Sequence, residues 1–157
     1  MAALLLVLAV LSTGLYAGFL LIFRTGIMPA LARLSDEEFV GAMRRINEYV
    51  PRAVFLGVFL GVVVFPAAAL LVPVDGRTET QKWLVLGGLV AAVANHLVTV
   101  AGNVPLNNAL AAAETSGLPA GEARAAFEGR WNGFHLLRTL LVLLSFALLT
   151  VSAVVTD

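Results

Sequence analysis

Trp131, His135 and Arg138 recur at i, i+4 and i+7, so on a helix they share one face, with Asn132 and Thr139 flanking it. These residue types suit acid–base work on a flat aromatic molecule. A neutral imidazole takes up a proton near pH 7, a guanidinium holds the oxyanion that forms, and an indole stacks on the ring. A second polar set interrupts an apolar run. At about 100° per residue, His96, Thr99, Asn103 and Asn107 fall within about 60° of one another. Pro105 lies inside that stripe, so the helix is expected to bend or stop there. Tyr16 adds a hydroxyl that needs a partner in an apolar setting. The candidate catalytic residues are therefore His135 as base and Arg138 as anion holder. Asn103, Asn107, Trp131, Asn132, His96 and Tyr16 are the candidate substrate-binding residues, with no metal.

The same side chains admit two other uses. His96 and His135 are the strongest metal-ligand candidates, and a membrane subunit holding haem, copper or a quinone would employ them so. Alternatively they only pack, in a structural or lipid-binding protein: amides bond neighbouring helices and Arg138 snorkels to lipid phosphates. All ten acids lie in loops, at helix ends or at the terminus. That argues against a carboxylate proton relay and against a di-iron centre, which needs inward-facing Glu. Without cysteine there is no disulfide, thiolate or Cys-bound metal chemistry.

The elements that must hold these residues are membrane helices. Of 157 residues, 60% are hydrophobic and 13% charged, against about 25% charged in ordinary globular domains. Mean hydropathy is +0.94. Four segments reach the length of about 20 residues that a bilayer crossing needs: Ala3 to Phe23, Pro51 to Val72, Trp83 to about Gly102, and Asn132 to Val154. The expectation is a single all-α domain over residues 1–157, a four-transmembrane-helix bundle. The first run is kept as a helix, because Met1-Ala2-Ala3 lacks the basic residue of a signal peptide. Net charge is zero and the basic residues are scattered, so nucleic acid is not an expected partner.

Between helices one and two, Ser35 and Glu38 have capping-box spacing, and Phe39, Val40, Met43, Ile46 and Tyr49 recur with helical period opposite Arg44, Arg45 and Glu48. This pattern predicts a short amphipathic helix on the membrane surface. Pro51 suits the first turn of helix two. Helix three stays apolar past Pro105 to Ala113, and a loop around Gly117-Leu118-Pro119 leads to helix four. Gly14/Gly18 and Gly57/Gly61 are small-xxx-small pairs that favour close helix approach, including homo-oligomer formation.

Orientation follows from the short loops. Arg24, Arg33, Arg44, Arg45, Arg52, Arg124, Arg130 and Arg138 fall on one side, and Arg77 and Lys82 on the other. The positive-inside rule then puts both termini outside the cytoplasm and the candidate site at the cytoplasmic end.

Gly14-Leu15-Tyr16-Ala17-Gly18-Phe19, Met28-Pro29-Ala30-Leu31, Ile46-Asn47, Asn103-Val104-Pro105-Leu106-Asn107, and Trp131-Asn132 followed by Arg138-Thr139 together resemble the anthrone-oxygenase-like family of small four-helix membrane proteins. The resemblance implies oxidation of an anthrone to an anthraquinone by dioxygen without a prosthetic group. Its matching positions are Asn103, Asn107, Trp131, Asn132 and Arg138. The roles of His96 and His135 rest on their chemistry alone. The expected partners are the bilayer and a small aromatic or lipophilic molecule.

Overall fold

The computed structural model describes residues 2–73 and 77–155. In chain order the elements are α1 (Ala2–Ile22), a π-helical turn (Phe23–Ile27), α2 (Met28–Leu31), α3 (Asp36–Tyr49), α4 (Ala53–Leu71), α5 (Glu79–Val98), a second π turn (Thr99–Asn103), α6 (Val104–Ala112) and α7 (Ala120–Val154). No strand occurs among the described residues. Four continuous apolar stretches are long enough to cross a membrane: Ala3–Leu31, Ala53–Leu71, Glu79–Ala112 and Ala120–Val154. The protein is an all-α, multi-pass membrane protein.

The helices run further than the apolar runs suggest, for local reasons. Pro29 and Pro105 carry no N–H, and their rings crowd the carbonyl one turn back. Ahead of each, the turn widens: Met28 N–H donates to Phe23 O and Val104 N–H to Thr99 O, five residues back instead of four. The helix therefore passes through both prolines. Helix one reaches Leu31 where an end at Phe23 was expected, and Pro105 ends nothing. α5 begins at Glu79 because Thr78 and Gln81 form a capping box, Gln81 N–H donating to Thr78 Oγ1 at 3.2 Å. Pro51 stays outside α4, whose N-cap is Arg52. α7 has 35 residues, about 50 Å at about 1.5 Å each, so its N-terminal part extends beyond one bilayer core.

Helix association in lipid rests on close packing and polar contacts, since lipid tails are as apolar as leucine. α5 and α7 meet where Ser145 Oγ donates to Gly88 O at 2.8 Å; a Cβ on Gly88 would lie 2.8 Å from Leu149 Cγ. Gly14 faces Phe146 of α7, and Gly61 faces Ser12 of α1. One glycine of each small-xxx-small pair is thus used inside the chain, whereas Gly18 and Gly57 have open space beside them. Leu4, Leu11, Leu15, Leu60 and Val90 are exposed and form lipid-facing surface.

α3 carries the expected capping box, with Ser35 N–H donating to Glu38 Oε2 at 3.0 Å. Its apolar face covers protein: Phe39, Val40 and Met43 are buried against Met28, Leu106, Leu110, Phe127 and Trp131. The amphipathic helix closes the proline-bearing end of the bundle, and Arg124 of α7 ties it down through Asp36 Oδ1 and Leu34 O, both at 3.0 Å.

Candidate functional site

The middle of α7 presents Trp131, His135 and Arg138 to the bundle interior, and all three are buried. The indole and imidazole stack with centroids 4.7 Å apart and planes 10° from parallel. Arg138 Nε and Nη2 lie 3.1 and 2.9 Å from His135 Nδ1. A guanidinium only donates, so Nδ1 is the acceptor; Nε2, 3.0 Å from Leu20 O of α1, carries the proton. The expected base and anion holder are thus bonded to each other. The four ion pairs among the described residues all lie elsewhere, so Arg138 is a buried guanidinium whose side-chain partner is a neutral imidazole.

Helix three is fixed against this face by two amides. Asn95 Nδ2 donates to Arg138 O at 2.6 Å and Asn103 Nδ2 to Trp131 O at 3.2 Å. Asn95 and Asn103 are eight residues apart and their acceptors seven. On an unbroken α-helix the second amide would sit about 80° around from the first. The π turn takes up the additional residue and returns Asn103 to α7. Asn107 continues the line, its Oδ1 accepting from Trp131 Nε1 at 2.8 Å. Gly102 lets Phe134 in close, because a Cβ there would lie 2.6 Å from Phe134 Cγ.

His96 leaves the expected stripe. Its Nδ1 is 2.9 Å from Ala92 O and its Nε2 2.8 Å from Phe59 O, and its ring stacks on Phe59 at 3.8 Å. It therefore faces α4, while His135 faces α1. No group of three His, Asp or Glu side chains suited to a metal forms among the described residues. As arranged, the two imidazoles do not fit a shared haem or copper ion.

Tyr16 is fully buried under Phe55 and Phe59, at 5.9 and 5.5 Å, beside Thr99 and within range of the Arg138 charge. Among the described residues no hydrogen bond of good geometry reaches its hydroxyl, Asn95 Oδ1, Asn103 Oδ1 or Asn132 Oδ1. Orphaned polar atoms at this depth are costly and call for a ligand or water. Trp131 lies between Phe127, at 5.9 Å, and His135, so both indole faces are covered. An incoming ring stacks on it only by displacing a neighbour. Asn95 was not among the expected site residues; its spacing of four and eight residues from Thr99 and Asn103 was the available signal.

The sequence model of the family described as "Anthrone oxygenase" matches residues 39–148, more than half of the chain. The chain belongs to the anthrone oxygenase family. The matched segment contains every anchor of helix three and the whole Trp131–His135–Arg138 face, while Tyr16 and Leu20 come from the helix before it. No match was found among curated proteins or among solved structures.

Proposed function

We propose that this anthrone oxygenase family member oxidises a planar phenolic or anthrone-type aromatic with dioxygen, without a bound cofactor, at the His135–Arg138 cluster near the cytoplasmic leaflet. The observation that carries this reading is Arg138, a buried guanidinium with no carboxylate partner among the described residues. A charge held at that depth marks a functional site, and the missing partner is an anion. A substrate oxygen approaching Arg138 draws both of its donors, Nε and Nη2, away from His135 Nδ1. The freed lone pair takes the proton from the acidic C–H or O–H as the oxyanion forms against the guanidinium. The electron-rich carbanion gives one electron to dioxygen. Coupling of the resulting radical pair and protonation give a hydroperoxide on the reacting carbon. Loss of the second C–H proton with cleavage of the O–O bond leaves a carbonyl and releases water, so one oxygen atom ends in each product. The orphaned oxygens of Asn103, Asn132 and Tyr16 accept from substrate hydroxyls.

The test is oxygen uptake and quinone absorbance with an anthrone-type substrate in detergent or discs. His135→Ala and Arg138→Met should each lower turnover by at least about a hundredfold, the scale of a lost base or oxyanion donor. His96→Ala should cost less, since its ring is turned to α4. Turnover that survives both helix-four substitutions, or that follows metal content, overturns the mechanism.

A further inference from the structure

Outside the His135–Arg138 cluster, a cleft of about 300 Å³ opens beside the contact between α3 and α6. Arg44, Asn47 and Glu48 line one side, and Asn107, Asn108 and Glu114 the other. Asn107 belongs to both places: its Oδ1 accepts from Trp131 Nε1, which leaves its amide N–H groups for the cleft. Asn47 also lines the cleft, and its Nδ2 is buried with no hydrogen-bond partner among the described residues, so a turn of the side chain brings that donor to the cleft. An amide donor left unmade costs about 1–3 kcal/mol, so its acceptor is missing rather than unneeded.

The charges narrow what that acceptor is. Arg44 is committed to the protein, its Nε donating to Leu110 O at 2.9 Å and its Nη1 lying 3.5 Å from Glu114. A multiply charged anion would meet Glu48 and Glu114, and a cation would meet Arg44 and the amide N–H groups. What remains is a neutral oxygen acceptor. We propose that the α3–α6 cleft is a second ligand site, in which the amide N–H groups of Asn47 and Asn107 bind the carbonyl oxygen of a small planar ketone or quinone. The identity of the molecule rests on the oxidation proposed above, whereas the amide–carbonyl chemistry does not. A lipid ester carbonyl presents the same acceptor. Through Asn107 and Trp131 the cleft is joined to the inner cluster, which makes it a staging position for a molecule approaching or leaving His135.

Trp83 is exposed and is the other of the two tryptophans, so Trp83→Phe leaves Trp131 as the only indole reporter. In discs of ester-linked phosphatidylcholine, 1,8-dihydroxyanthraquinone should quench Trp131 fluorescence saturably. Asn47→Leu should weaken that binding about tenfold, the effect of one lost hydrogen bond. Because the change removes an orphaned donor, thermal stability should hold or rise. Asn47→Ala gives the same reading of binding if leucine does not fit. Arg138→Met should leave the affinity within about twofold, which separates failure of the cleft from failure of the oxidation site. Tighter quinone binding in ether-linked discs, lost with Asn47→Leu, would support the site and identify a lipid ester as its ordinary occupant. Quenching untouched by Asn47→Leu, or abolished by Arg138→Met alone, overturns the proposal.

Discussion

Arg138 and His135 show how a single contact can both hold a site closed and prepare it. With its Nδ1 bonded to the guanidinium and its Nε2 to Leu20 O, the imidazole has no idle lone pair until something takes Arg138 away. Spacing made the two side chains neighbours, i and i+3 on one helix face, but not partners in a hydrogen bond, because it fixes the face and not the rotamers. Asn103 is a cleaner test of ligand binding against packing. Its one bond goes to Trp131 O, a carbonyl in the interior of α7 that also serves the helix, and its own Oδ1 is orphaned. Asn103→Leu should therefore change stability by less than about 1 kcal/mol, the lost amide bond being offset by the removed orphan. Turnover should fall at least tenfold if Oδ1 meets substrate. A thermal melt in detergent beside an oxygen-uptake assay reads both, and equal losses would return Asn103 to a packing role.

At the scale of elements, the two helices that widen at a proline follow one pattern, Gly26-x-x-Pro29 in the first and Gly102-x-x-Pro105 in the third, each with a π turn ahead of the proline. The four apolar crossings, the surface helix with its capping box, and the alignment of Trp131, His135 and Arg138 were legible, because each rests on period and on residue type alone. The π turns were not. A proline in an apolar helix signals a bend, but the choice between bending and widening the turn is made by tertiary partners, here the carbonyls of Trp131 and Arg138 that receive Asn103 and Asn95. His96 was misplaced for the same reason, since the stripe assumed an even 100° per residue through residues where the period changes. Gly102→Ala tests the register. Its Cβ would press on the Phe134 ring at 2.6–2.9 Å and push helix three off α7. The expected cost is about 1–3 kcal/mol of stability, typical of overpacking, with activity falling in parallel. Phe134→Leu in the same chain should recover part of both, as expected for residues in contact. A Gly102→Ala protein as stable as the parent would show that the two helices are not this close.

For the whole molecule the open quantity is which leaflet holds the site. α3, the two prolines, the α3–α6 cleft and the start of α7 gather at one end, and the connections at that end carry most of the basic residues. Several of these arginines also have structural work: Arg44 bonds Leu110 O, and Arg124 reaches Ala32 O, Leu34 O, Asp36 and Glu128. Orientation follows the total of Lys and Arg in short loops whether or not the side chains are paired in the folded state, because it is set while the chain inserts. Seven basic residues at this end, the buried Arg138 left aside, against Arg77 and Lys82 therefore predict this end in the cytoplasm. A reporter fused after Asp157 should be active outside the cytoplasm, and one inserted at Gly117, in the turn between α6 and α7 where φ is +70°, should be active inside. The pair of readouts guards against a fusion that itself redirects insertion, since a correct topology requires opposite answers. Both signals reversed would overturn the orientation, move the His135–Arg138 cluster to the outer leaflet, and require its substrate to arrive from that side.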